Sequence, residues 1–134
     1  SQIRAMGRGA SGVRGIRLRA GDNVSSMDIL KKDLKDARLL AVMANGYGKQ
    51  TKISEYKTQG RGGSGVKAAK ITSKTGSLIA AHLVSEETEL FALSAKGQII
   101  RTPLESVRIA GRATQGVRIM NLHAGDHLSG IICL

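Results

Sequence analysis

The sequence predicts an all-β fold built from propeller-like blades of about fifty residues each. The pattern G-R-x-x-x-G-V-[RK] occurs three times, starting at Gly7, Gly60 and Gly111, with offsets of 53 and then 51 residues. Short apolar runs at 39–43 and 90–93 each precede a hairpin-turn signal. Repeats of this length with about four strands are typical of blades around an axis.

These repeats divide the chain into a partial ring of roughly two and a half to three blades. We predict that residues 1–35 hold the end of one blade and a connector, 36–85 the second blade and 86–134 the third. Because Ser1 is not Met, we interpret the chain as a fragment of a longer protein.

Each blade should be completed by a closing strand, which we expect at 23–26, 78–84 and 128–133. Residues 26–40 could form a short helix, since apolar residues recur between charges, but a charged connector between repeats fits this stretch better.

An apolar and cationic stretch follows each glycine turn, at 13–18, 66–71 and 117–122. Its valine lies out of phase with the two later apolar positions, which predicts a bulge or a sharp bend. Because neighbours on a strand face opposite sides, we expect each valine to face the core and the next cation to face solvent. These pairs are Val13–Arg14, Val66–Lys67 and Val117–Arg118.

The charge favours a polyanionic partner. Lys and Arg number 21 against 10 acidic residues, which gives a net charge of +11. Cationic side chains that bind phosphates release the counterions condensed on a nucleic acid, and this release favours binding. The three aromatic residues, Tyr47, Tyr56 and Phe91, are too few for a surface that stacks bases. The composition therefore favours phosphate contacts, although a basic surface that serves only solubility is the alternative.

Equivalent positions in a blade array lie on one rim, so the recurring cations should form a belt that contacts duplex DNA. Backbone N–H groups of the glycine turns could add concave anion sites. The alternative is that the turn arginines only satisfy turn carbonyls. The predicted DNA-binding residues are Arg8, Arg14, Arg17, Lys49, Lys52, Arg61, Lys67, Lys70, Lys74, Arg101, Arg112 and Arg118.

Catalytic, metal and cofactor sites are not expected. Residues 7–12 and 60–65 match G-x-G-x-x-G, but strand-like segments rather than helices follow them, so a dinucleotide-binding domain is a weak alternative. His82, His123 and His127 lack the spacing and the partners of a metal site.

The expected location is the cytoplasm. No apolar run approaches the ~18 residues of a membrane span, so no membrane partner is predicted. The single cysteine, Cys133, cannot form an internal disulfide, which suits a reducing compartment.

The motifs at 45–49, 60–66, 96–102 and 111–117 resemble the C-terminal domain of the DNA gyrase A subunit, and more loosely that of the topoisomerase IV A-type subunit. The resemblance covers practically the whole chain. It implies a six-bladed β-pinwheel whose neighbouring blades exchange strands, with this chain matching the last two blades and the end of the one before. It also implies that duplex DNA wraps around a basic rim, which supports negative supercoiling in the bacterial nucleoid.

The resemblance further implies two partners, the gyrase B subunit together with the remainder of the gyrase A subunit. The active site of that ATP-dependent topoisomerase lies in other domains, so this chain is expected to be non-catalytic and without a cofactor. A structural or protein-interaction module is the alternative function. Because a blade array that is cut open exposes strand edges, we also expect self-association.

One turn is similar to the gyrase box, Gln-Arg-Arg-Gly-Gly-Lys-Gly, which the family carries in its first blade and needs for wrapping. This chain has Gly in place of the first Arg and Ser in place of the Lys, and the turn comes late in the order of blades. We therefore interpret it as an ordinary blade turn. Its residues are Gln59, Gly60, Arg61, Gly62, Gly63, Ser64 and Gly65.

Overall fold

Two antiparallel sheets make up the fold of the computed structural model, which describes residues 3–32, 34 and 36–134. Single turns of 3-10 helix at Ile53–Glu55 and Leu104–Ser106 follow the second and fifth strands. The prediction of an all-β fold is confirmed. The strands of the described residues are β1 (Arg38–Met43), β2 (Tyr47–Lys52), β3 (Leu78–Val84), β4 (Glu89–Ser94), β5 (Ile99–Pro103), β6 (Val117–Arg118) and β7 (Leu128–Cys133).

The first sheet has the strand order β3-β1-β2-β6, and its outer strand comes from the next repeat. The hairpin β1–β2 turns at residues 44–46, as the Asn-Gly signal predicts. β6 pairs with β2 through Tyr47↔Arg118 and Gly48↔Val117. A strand of the third repeat therefore completes the sheet of the second.

The second sheet repeats this arrangement in the order β5-β4-β7. Even the irregularities are equivalent, because the register shifts between Val42 and Met43 in β1 and between Leu93 and Ser94 in β4, 51 residues further on. Among the described strands, none lies beside β5 in the place that β6 takes beside β2. The two sheets are thus copies of one blade, and no described strand takes the place of β6 in the second sheet.

The main core lies between the two sheets. Leu40 and Val42 of β1 pack with Leu90 and Ala92 of β4, and these four side chains are fully buried. The alternation of buried and exposed residues along β4 follows from the pleat, which points neighbouring side chains to opposite faces. One face of each strand therefore fixes the two blades together.

The expected closing strand at 23–26 is wrong, since the structure assigns no strand there. Side chains instead follow the edge of β3: Ser25 and Ser26 donate to its carbonyl oxygens at 2.9 Å, and Asp28 accepts from a β3 amide at 2.7 Å. The described part of residues 26–40 contains no helix, and residues 33 and 35 lie outside it. The segment is the connector that the charges favoured.

The cationic stretches form a strand only in the third copy. Residues 13–18 and 66–71 contain no strand, because no described strand pairs along their backbones. Val66 is consequently 40% exposed, so the prediction that it faces the core is wrong. In the third copy the predicted bulge is present: the amides of Ile119 and Met120 both donate to the carbonyl oxygen of Gly46, at 2.8 and 3.2 Å.

Candidate nucleic-acid interface

The cationic segments of the first and second copies each lie against the glycine turn of the next copy. The amide of Arg17 donates to Gly63 O at 2.8 Å, and at the equivalent position the amide of Lys70 donates to Thr114 O at 2.9 Å. The amide of Gly62 also donates to Gly15 O at 2.7 Å. These contacts join segments 14–17, 60–74 and 111–118 into one surface, called here the basic band.

Most of the predicted cations are exposed to solvent. Two are not: Arg112 is half-buried and Lys49 is buried. Because phosphate contact needs an accessible donor, exposure is the first requirement for the predicted role. The exposed ones are Arg8, Arg14, Arg17, Lys52, Arg61, Lys67, Lys70, Lys74, Arg101 and Arg118.

The prediction that Lys49 contacts DNA is wrong, because its side chain has no exposed surface. Its ammonium donates to the carbonyl oxygens of Gly111 and Arg112, at 2.7 and 2.6 Å. Burial lowers the pKa of Lys49, and the carboxylate of Glu55 opposes that shift. Lys49 therefore acts inside the protein, where it ties β2 to the glycine turn of the third copy.

The side chain of Arg112 bonds a backbone carbonyl, but that carbonyl lies in the cationic segment of the second copy and not in a turn. One of its terminal nitrogens donates to Lys67 O at 3.3 Å, and its guanidinium carbon lies 5.9 Å from the ring centroid of Tyr56. Its backbone amide donates to the carboxylate of Glu55 at 3.2 Å. The turn is thereby fixed against the second repeat, and only part of Arg112 faces solvent.

Arg101 is exposed, but its charge is paired. Its Nε donates to Glu89 Oε2 at 2.9 Å, and a second nitrogen bonds the other carboxylate oxygen. This bidentate contact raises the pKa of Arg101. Arg101 also lies over the ring of Phe91, on the outer face of the second sheet, at 5.8 Å. Its contribution to a positive surface is smaller than that of the cations without a carboxylate partner.

The box-like turn 59–65 fills the same place in the second copy that residues 111–116 fill in the third. It contacts the preceding cationic segment through Gly62 and Gly63, and a parallel bridge joins Gly63 to Ile16. Gln59 Nε2 donates locally, to Lys57 O at 3.1 Å. These contacts are those of a turn that links two blades, which supports its interpretation as an ordinary blade turn.

Sequence reasoning missed Tyr47, which lies beneath the basic band. The Arg118 guanidinium donates to its hydroxyl at 3.0 Å, and the Lys74 ammonium lies 5.6 Å from its ring centroid. Nothing in the pattern Asn-Gly-Tyr-Gly indicates this role, since the cations that contact the ring come from positions 27 and 71 residues further on.

The described residues contain no group of three or more His, Cys, Asp or Glu that could hold a metal ion. None of the helices in this part of the chain is long and apolar enough to cross a membrane. His82 lies near one acid, with Nδ1 3.8 Å from Asp28 Oδ2, and both side chains are well exposed.

Known relatives agree with the fold. The chain matches the family described as DNA gyrase C-terminal domain, beta-propeller, over residues 1–31, 44–85 and 88–134. It is 44% identical over 129 residues to the DNA gyrase A subunit of Mycolicibacterium smegmatis, and 41% identical over 131 residues to that of Staphylococcus epidermidis. These alignments cover 96% and 98% of this chain but 15% of each relative, so the chain spans about a seventh of their length.

Solved structures give the same assignment. A structure of the DNA gyrase A C-terminal domain superposes with a TM-score of 0.80 at 30% identity, covering 98% of this chain and 44% of the other. The crystal structure of the C-terminal domain of DNA topoisomerase IV has a TM-score of 0.88 at 18% identity, covering 100% and 41%. At that identity the second match shows the fold alone. The chain therefore belongs to the DNA gyrase C-terminal domain family, with the blades of its β-propeller fold.

Proposed function

We propose that the chain binds the backbone of duplex DNA along the basic band, without reading its sequence, as a non-catalytic domain of a type II topoisomerase subunit. The observation that carries this proposal is the pair of equivalent junctions, Arg17 to Gly63 and Lys70 to Thr114, which makes the cations of three copies one surface. The net charge of +11 supplies the attraction.

Physical chemistry favours backbone contacts over base contacts here. Readout of base edges in the major groove typically uses a helix or a β-ribbon, whereas the described part of the basic band consists of turns, extended segments and the two-residue strand β6. Blades that follow one another around an axis present a curved band, so the bound duplex bends. Bending a duplex whose persistence length is about 150 bp costs free energy that additional phosphate contacts must offset. We propose that wrapping of the duplex around the basic band contributes to negative supercoiling of DNA by the whole enzyme.

The proposal includes the setting in a larger enzyme. The partners are double-stranded DNA, the gyrase B subunit, and the remainder of the gyrase A subunit, in the bacterial cytoplasm at the nucleoid. DNA cleavage and ATP hydrolysis belong to those other domains, and this chain takes no cofactor.

We propose the divisions 36–85 and 86–134 as blade boundaries, with β6 crossing from the third blade to the sheet of the second.

The test is a binding comparison between two duplexes of equal length and unrelated sequence. Because the contacts are to phosphates, the two dissociation constants should agree within about twofold, and each should be lower than that of a single strand of the same length. Fluorescence anisotropy with labelled duplexes measures both. Strong selection of one duplex would contradict the proposal, and so would a preference for the single strand.

An apolar outer face favours a second function, assembly with another blade. On the second sheet Leu93, Ile99 and Ile132 are 43%, 68% and 62% exposed. Their neighbour Phe91 lies 51 residues after Leu40, which is fully buried between the two sheets. In the first sheet the equivalent face is covered by the second sheet, which supports the proposal that a second copy of the chain covers this face.

Self-association is the expected result. The edge of β5 and the segment Val66–Lys67 correspond to β2 and β6, which pair within the chain, so one copy can complete the other. Sedimentation at high micromolar concentration should show dimers or larger species. Ile132→Glu places a charge on the apolar face and should shift the species towards monomer, whereas Ser54→Glu, at an exposed position outside the second sheet, is the matched control. A wild-type chain that sediments only as monomer would contradict this second function.

A further inference from the structure

Two cations from different repeats converge on one tyrosine beneath the basic band. Arg118, of the third copy, donates to the Tyr47 hydroxyl at 3.0 Å, and its guanidinium carbon lies 5.4 Å from the ring centroid. Lys74, which follows the second copy, has its ammonium 5.6 Å from the same centroid. Tyr47 itself is 5% exposed, so both cations are held against a buried side chain.

The tyrosine is fixed by the fold. It pairs with Met43 across the β1–β2 hairpin and with Arg118 across β2–β6, and its ring packs with Met43, Ala69 and Leu78. The guanidinium has a second anchor, because its other terminal nitrogen donates to Asn121 Oδ1 at 3.1 Å. Both cations therefore contact a side chain, Tyr47, that is held in place by the core, although their own side chains are exposed.

Both cations retain donors for an anion. An arginine has five N–H donors and a lysine three, and the described contacts of Arg118 occupy two of its five. Among the described residues, neither cation forms an ion pair with a carboxylate, in contrast to Arg101. A pair of positive groups that is positioned but not neutralised is suited to a phosphate group.

We propose that Lys74 and Arg118 form a phosphate clamp, in which Tyr47 is the positioning residue and the ligand is a phosphodiester group of the DNA backbone. The proposal rests on the proposed function and deepens it. Long cationic side chains lose conformational entropy when they bind, and Tyr47 reduces that loss by holding them in place beforehand. The π face of the ring adds a cation–π attraction for both groups.

The clamp has a spectroscopic consequence at Tyr47. The hydrogen bond from Arg118 lowers the pKa of the Tyr47 hydroxyl, burial opposes that shift, and Lys74 adds to the lowering. A phosphate bound to the two cations brings negative charge beside the phenol, which disfavours the phenolate and raises its pKa. The chain has two tyrosines and no tryptophan, so in a Tyr56→Phe variant the ultraviolet absorbance of tyrosinate reports on Tyr47 alone.

The first experiment compares Tyr47→Phe with Tyr56→Phe. Tyr47→Phe keeps the ring and removes the oxygen that accepts from Arg118, so duplex binding should weaken about three- to tenfold. Tyr56→Phe is the matched control, because Arg112 lies over that ring without a hydrogen bond to its hydroxyl, and binding should be unchanged. In an Arg118→Gln background, Tyr47→Phe should have no further effect, since the group that it positions is gone.

The second experiment titrates the tyrosinate absorbance of Tyr56→Phe with and without a saturating short duplex. The duplex should raise the pKa of Tyr47, and Arg118→Gln should raise it in the absence of DNA. An unchanged pKa on DNA binding would overturn the clamp, and so would equal losses from Tyr47→Phe in the wild-type and Arg118→Gln backgrounds. A wild-type chain that binds no duplex would instead overturn the proposed function, so the two failures are distinguishable.

Discussion

Replacing Arg14, Lys67 and Arg118 together with glutamine should flatten the salt dependence of duplex binding by up to about three units of slope. Each cation occupies the same position of its copy, each is exposed, and each lies on the basic band. A lost phosphate contact removes the release of about one counterion, which lowers the slope by roughly 0.9. Binding at low salt should weaken most, and the difference from wild type should shrink as salt rises.

A second triple variant controls for net charge. Three exposed cations lie outside the basic band, namely Lys31, Lys32 and Arg108. Their replacement by glutamine lowers the net charge by the same amount, three. Its salt slope should stay close to that of wild type. Exposed substitutions usually change the free energy of unfolding by under ~0.5 kcal/mol each, although Arg118 also loses its two hydrogen bonds. If the two triple variants bind alike, only the overall charge matters and the assignment of the basic band is wrong.

The largest effect on stability is expected at Gly116, in the glycine turn of the third copy. Its φ is +78°, a region where a side chain costs roughly 1–2 kcal/mol, and an added Cβ would overlap the carbonyl oxygen of Gly48 in β2. Overpacking of this kind typically costs a further ~1–3 kcal/mol. Gly116→Ala should therefore lower the melting temperature by about 10 °C or more.

Gly12→Ala is the matched comparison for that substitution. Gly12 is the equivalent residue of the first copy and has a φ of +79°, but no atom lies within 4 Å of an added Cβ. Gly12→Ala therefore has only the cost of a side chain at positive φ, and the residue lies outside the sheets. The melting temperature of this variant should fall by only a few degrees. Circular dichroism melts measure both. Equal losses would show that the packing of the third turn against β2 does not stabilise the protein.

Sequence reasoning succeeded where the structural signal is local. The strands β3 and β7 have the predicted bounds, because an apolar run between turn residues contains the whole signal. It failed at 66–71, where the residues alternate as in the third copy but no described strand pairs with them. Strand formation at that place depends on a neighbouring blade, which the residues of the segment cannot reveal.

In the candidate site, too, contacts between distant parts of the chain could not be predicted from the sequence. Arg14 and Lys67 are exposed as predicted, but not through the strand alternation that predicted it, since neither lies in a strand. The repeat could not show that Lys49 is buried against two carbonyl groups, because those groups belong to a turn 62 residues away. It could not show the position of Tyr47 either, since the tyrosine lies where two repeats meet.

The most direct test of the central claim is the salt dependence of wild-type binding to a duplex of random sequence. If the basic band neutralises about four to six phosphates, the logarithm of the association constant should fall against the logarithm of salt concentration with a slope of about −4 to −5. Such a slope would show that backbone charge dominates the interaction. A slope near zero would contradict the account, because binding would then not depend on the cations of the basic band.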